Sequence, residues 1–299
     1  MSKKETDPLT LERDSSFDEP LRRVSFEAGM LLGLEATRSE QDYHRRRLNR
    51  QQYWLHNQGT LVGLAASIEG KQDVAADTPT VTRVEITPGV AIDGLGREVV
   101  VEEPYCLNLG DWLEANSETL AKGYDETGQA LWLTVTLRHK DCPIAFQPVL
   151  AQEANAGTDP VAPARIKDSV LLELSPGRIT QPAAGDYNPW SVHPLSQDPV
   201  ELTPLETAHR NTQNSASKAQ LDLHARLLQG LPEGTDALKV SESFKQRLDE
   251  LANTLLAEIR ITAPTLESIV VNPKNIDVNN LVRPFLTTPD QLAWLLRQE

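Results

Sequence analysis

Two side-chain pairs in this 299-residue sequence have the types and spacing for proton or metal chemistry. His139 and Asp141 lie two residues apart, as do Asp42 and His44. An imidazole beside a carboxylate is the smallest acid–base or ligand pair a chain can offer. Both pairs sit among charged neighbours at positions expected on the surface, since Arg138-His139-Lys140-Asp141 ends an apolar run and Arg45-Arg46-Arg47 follows His44. The other histidines, at 56, 193, 209 and 224, stand alone, and no HExxH, GxSxG, phosphate-binding loop or Cys/His signature appears. Glu102-Glu103 and Asp249-Glu250 carry no information in a chain with 43 acidic residues, and Asp93 beside Gly94 reads as a turn residue. The expectation is therefore a protein that is not an enzyme, with no catalytic residue, no cofactor and no metal ligand.

The elements that would carry these residues follow from pattern. Residues 1–24 are charged, short of apolar side chains and aperiodic, and read as a mobile arm. A helix is expected from Thr37, where Thr37 and Glu40 fit a capping box, to His56, before Asn57-Gln58-Gly59. Tyr43 and Trp54 are eleven apart and share a face near Arg47 and Arg50, while His44, Leu48 and Leu55 form an adjacent stripe. Thr60–Ile68 is apolar nearly throughout and is expected to be a strand buried on both faces. Val81–Ile86 alternates as a half-buried strand. Pro88-Gly89 turns into Val90–Ile92, and Asp93-Gly94 with Gly96 signals a hairpin to Arg97–Val101.

Further along, 109–122 reads as a short helix, and Leu131–Leu137, Ile144–Leu150 and Val170–Leu174 as strands. Residues 176–202 are a proline-rich linker, with Trp190 and His193 among the prolines. The last part, 203–299, reads as mainly helical. A helix over 203–229 would pair with one over 240–260, whose stripe is Phe244, Leu248, Leu251, Leu255 and Ile259. Ile269–Val271 is expected to return as a strand, and Thr288-Pro289 to start a final helix carrying Leu292, Trp294 and Leu295. The fold class is α+β: an N-terminal helix plus an antiparallel β-rich domain over 25–175, then a C-terminal helical hairpin element.

Charge narrows the partners. A net charge of −14 argues against nucleic acid, whose phosphates need a strongly basic footprint. Against that background, five arginines (38, 45, 46, 47 and 50) face only Glu40 and Asp42 between Arg38 and Arg50, a local net of +3. Such a strip is either a docking surface for an acidic partner or a solvated helix face with ion pairs inside the chain. No run of about 18 apolar residues exists, so no membrane span is expected, and the polar start MSKKETDPLTLERDSS lacks a secretory core. Cys106 and Cys142 form no CxxC pair and read as buried or half-buried thiols.

The stretch GMLLGLEATRSEQDYHRRRLNRQQYWLHNQGTLVGLAAS, followed by TPGVAIDGLGREVVV, resembles proteins encoded with contractile injection systems and phage-tail-like particles. The matching positions are Gly29, Leu31, Leu32, Glu40, Gln41, Tyr43, His44, Arg47, Asn49, Leu55, His56, Gly59, Val62, Gly63 and Leu64. They continue with Pro88, Gly89, Ala91, Ile92, Asp93, Gly96, Arg97 and Glu98, and the later ARIKDSVLLEL resembles a second arginine-bearing strand of that group. The chain departs from the pattern at Asn57-Gln58. The resemblance implies a structural, non-enzymatic subunit at a baseplate, fibre-attachment or cap position, residing in the cytoplasm and assembled into a particle. Its partners would be other subunits and further copies of itself. The expected interface residues are Arg38, Tyr43, Arg46, Arg47, Arg50, Trp54, Phe244, Leu248, Leu251, Leu255 and Trp294. The alternatives are a carbohydrate- or receptor-binding module presenting Trp132, Tyr105 or Trp190, and a hydrolase using His139 and Asp141.

Overall fold

A computed structural model describes residues 23–31, 33–56, 58–71, 81–148, 161–179, 201–215, 217–218, 221–222, 225, 251–295 and 297. The chain divides into two compact units, the larger formed mainly by Leu21–Thr180 and Arg247–Glu299, the smaller mainly by Gln181–Gln246. The class is α+β, with helices beside antiparallel sheets.

In the larger unit, helix α1 (Leu34–His56) precedes six short strands: β1 (Gly59–Gly63), β2 (Ala66–Lys71), β3 (Val81–Ile86), β4 (Gly89–Ile92), β5 (Glu98–Val101) and β6 (Tyr105–Asn108). The apolar run expected as one strand buried on both faces is two strands in two sheets. β1 belongs to a sheet ordered β1-β4-β5 and β2 to one ordered β2-β3-β6. The register is nearly continuous, Gly63 facing Gly89 and Ala66 facing Ile86, so one antiparallel ladder turns a corner. At that corner Leu64 has a φ of 57°, and its amide donates to the Pro88 carbonyl at 3.3 Å. Gly63 and Gly89 abut so closely that a Cβ on either would strike the opposing backbone, which explains both glycines. Outside the corner Leu61 and Val62 are exposed, while Leu64 is fully buried.

Helix α2 (Leu109–Ala115) follows, started by Asn108, whose side chain accepts from the Gly110 and Asp111 amides. The helix expected to 122 continues as a 3₁₀ turn, Ser117–Gly123. A second group of strands then forms: β7 (Tyr124–Asp125), β8 (Ala130–Pro148), β9 (Val161–Pro176), β10 (Asn253–Thr262) and β11 (Ile276–Asn279). The expected strand end at Arg138–Asp141 is overturned, because β8 runs on through these residues paired to β9.

The helix expected over 240–260 is corrected for its last part. Asn253–Thr262 is a strand, pairing β8 on one side and β11 on the other. A bulge between Leu255 and Ala257 resets the register, so Leu256, Ile259 and Ile261 reach the core while Leu255 is half-buried. The β-branched residues Thr254, Ile259, Ile261 and Thr262, offered two partner strands, override the helical spacing of the leucines. The strand expected at Ile269–Val271 is irregular backbone, and the return strand comes later, at β11. Helix α4 (Pro289–Leu295) starts as expected, with the Gln291 amide donating to Thr288 Oγ1. The capping box expected at Thr37 does not form. α1 begins three residues earlier, and the Glu40 carboxylate accepts from the Val24 amide at 2.9 Å instead.

The core joins the sheets through Leu64, Val84, Ile86, Val99, Leu109, Leu131, Leu133, Leu256, Ile259 and Ile261. In the smaller unit, α3 (Pro204–Asn211) carries a full capping box between Thr203 and Glu206. A turn at Thr212–Gln213 interrupts the helix expected over 203–229, and Arg210 makes a two-pronged pair with Asp222 at 2.6 and 2.7 Å. Phe244 and Leu248 lie outside the described residues.

Candidate functional site: helix α1 and the Asp93–Arg97 loop

Helix α1 is only partly covered along its length. Ala36, Glu40, Tyr43, Arg46, Asn49 and Gln52 recur at helical spacing and are half-buried, and none of the described α1 side chains is fully buried. The opposite side carries Leu34, Leu48 and Leu55, which are 65%, 52% and 67% exposed. Arg38 and Arg47 are also exposed, and Arg47 Nη1 donates to the Tyr43 hydroxyl at 3.1 Å. Arg45 pairs with Asp42 at 2.9 Å. The side chains of Arg50 and Trp54 lie outside the described set.

Asn49 is where the helix meets the loop between β4 and β5. Gly96, with a φ of 78°, lies against the Asn49 carbonyl so tightly that any Cβ there would collide with it. The loop around Gly96 is built on Asp93, which is fully buried. Asp93 Oδ1 accepts from the Leu95 and Arg97 amides at 2.9 and 2.8 Å, and Oδ2 accepts from Arg97 Nε at 2.7 Å. Burial pushes the Asp93 carboxyl upward, opposed by the Arg97 charge and by the two amide donors. The turn role expected for Asp93 is therefore correct in kind, with an ion pair added. Gly94 donates to the Leu251 carbonyl at 2.7 Å. Leu251, expected on an interface, is thus a buried anchor of this loop.

Next to the loop stand His139 and Asp141, on one face of β8. Expected at the surface, they are only 16% and 18% exposed. The His139 Nδ1 lies 3.1 Å from the Glu98 carbonyl and Nε2 lies 3.2 Å from Asp141 Oδ1. The hydrogen bond to Asp141 raises the His139 pKa against the effects of burial and Arg97. The same hydrogen bond lowers the Asp141 pKa, with help from Arg45 and Arg97. Both partners of the ring are acceptors, so filling both bonds requires the doubly protonated imidazolium. This geometry makes the pair an internal ion pair that props the β5 edge against β8. Asp168, on the facing strand, completes a group whose ligand atoms all lie within 4.8 Å of one another. Sequence reading had no signal for Asp168 at this position, because strand register places it there.

Elsewhere, Asn280 and Arg283 were missed from sequence. The Asn280 side chain donates to and accepts from the Ala66 backbone at 2.9 and 2.8 Å, closing the edge of β2 as a strand would. Buried Arg283 donates to the Leu64 carbonyl at 2.7 Å and to the Asn280 carbonyl at 3.0 Å, and burial brings its pKa down to about 10. Trp132 lies beneath Arg178, whose guanidinium sits 4.4 Å from the ring centre. Its face is covered, while Tyr105 is exposed at 39% and Trp190 lies outside the described residues. Trp294 is exposed at 59%, and Cys106 is an exposed thiol, contrary to its expected burial. Among the described residues no helix is long and apolar enough to cross a membrane. Comparison with family models, with curated proteins and with solved structures found no match.

Proposed function

We propose that this chain is a structural, non-enzymatic subunit of a multi-copy assembly of the contractile, phage-tail-like kind, and that α1 is its docking element. The observation that carries the reading is the outward side of α1. Leu34, Leu48 and Leu55 are exposed there together with arginines, on a chain whose net charge is −14. Exposed apolar side chains rimmed by one sign of charge mark protein-binding surfaces. The complementary surface is the acidic remainder of a second copy, so the favoured occupant is another subunit of the same chain. The Asn49–Gly96 contact supports this role, because it joins the helix to the β4–β5 loop and leaves the outward strip uncovered. In that assembly exposed Arg38 and Arg47 would form the rim and Leu48 with Leu55 the centre. The carbohydrate-binding alternative loses support where Arg178 covers Trp132.

The test is light scattering across a concentration series, coupled to negative-stain imaging of whatever co-purifies with the chain. Self-association or recovery in tube- or baseplate-like particles is expected, and Leu48→Asp with Leu55→Asp should abolish it without loss of secondary structure. A monomer at every concentration, with no larger particle recovered, overturns the reading.

A further inference from the structure

The two strands of the β8–β9 ribbon place Asp141 directly opposite Asp168. Like charges facing each other across an antiparallel pair destabilise it. His139, two residues before Asp141, projects on the same face, and the ligand atoms of all three residues lie within 4.8 Å of one another. The ring is held by its other nitrogen: Nδ1 faces the Glu98 carbonyl at 3.1 Å, which aims Nε2 at Asp141 Oδ1, 3.2 Å away. A histidine with one nitrogen fixed by a backbone carbonyl and the other turned toward carboxylates is the arrangement that orients metal ligands. Donors about 2.0–2.2 Å from one ion must stand about 3–4 Å apart, and exposed Asp168 has the freedom to close that distance.

We propose that His139, Asp141 and Asp168 form a three-ligand site for a divalent transition ion of the zinc class, clamping β8 to β9. One imidazole and two carboxylates suit zinc better than magnesium or calcium, which prefer oxygen alone. The ion takes the place of the Nε2 proton, which leaves to solvent, and the two carboxylates balance its two charges. Arg45 and Arg97 also bear on Asp141, and each has its own carboxylate, Asp42 and Asp93. Their positive charge makes the site a moderate binder rather than a tight one. The proposal stands apart from the docking role of α1, since it concerns the stability of the ribbon.

The experiment is calorimetric titration of the tag-free full chain with zinc chloride, paired with thermal melts. Uptake of one ion per chain and a raised Tm are expected. Asp168→Asn removes the facing charge, so it should fold, with a metal-free Tm equal to or above that of the parent. The same substitution should lower zinc affinity by more than about 100-fold and remove the zinc-induced Tm rise, as should His139→Gln. Lack of uptake by the parent chain overturns the proposal. So does zinc uptake that is unchanged in Asp168→Asn, which would place the ion elsewhere.

Discussion

The backbone carbonyl of Asn49 occupies the space that a side chain on residue 96 would need. Helix and hairpin therefore come together only if residue 96 is glycine, and its φ of 78° makes the same demand from within the turn. Gly96→Ala should destabilise the chain by at least about 1 kcal/mol through the left-handed backbone alone. Displacement of α1 would add to that. Hydrogen exchange should show faster opening of α1 than of the distant β10–β11 pair, and equal protection of α1 in parent and variant would refute the contact's importance.

Arg283 holds the sheet corner. Its guanidinium reaches the Leu64 carbonyl and two oxygens of Asn280, and Asn280 in turn fastens Ala66. Arg283→Met keeps the stem but orphans these acceptors, at a cost of about 3 kcal/mol. Arg283→Lys should recover little, because an ammonium lacks the planar fork. Urea denaturation of both variants checks this, and near-parental stability of the lysine form would sink it.

β10 is central, and Leu256 and Ile259 are fully buried in it. Truncation of either to alanine should cost about 2–5 kcal/mol. Leu255→Ala, on the half-buried side of the bulge, should cost clearly less. The helix expected from the leucine spacing predicts a different ranking, with Leu255 and Ile259 equivalent, so the comparison discriminates the two.

Glu206 closes the cap of α3 by accepting from the Thr203 amide at 2.8 Å and the Thr203 hydroxyl at 2.9 Å, and these bonds lower its pKa. A depressed carboxyl pKa contributes stability above the unfolded value of 4.5, and that contribution disappears as pH falls through the folded value. A carbon-detected NMR titration should therefore place the Glu206 midpoint below 4.5 in the parent and closer to that value in Thr203→Ala, which loses the hydroxyl donor but keeps the amide.

Short-range features were legible in the sequence. Alternation gave Val81–Ile86, and Pro88-Gly89 and Asp93-Gly94 gave the turns around β4 and β5, because each is decided within a few residues. The long apolar run Thr60–Ile68 was legible as extended chain, yet the corner inside it depends on Gly63 meeting Gly89, a contact no window reveals. β10 was misread because leucines spaced by three and four satisfy a helix as well as a bulged strand. Arg283 left no local signal at all, since its partner Leu64 lies 219 residues away. For the same reason His139 was recognised as chemically capable while Asp168, brought opposite its neighbour by register, was not.

The place of β10 between β8 and β11 has a consequence for synthesis. Translation delivers residues 130–148 well before residues 253–262, and until the later segment emerges β8 has an open flank. A ribosome adds about 5–20 residues per second, so that flank stays unpaired for several seconds or longer. Nascent chains halted before residue 253 would present a bare apolar edge to each other and to chaperones. Only a chain translated through β10 can cover it, so β8 gains its partner on that flank only once a segment more than 100 residues further on has been made.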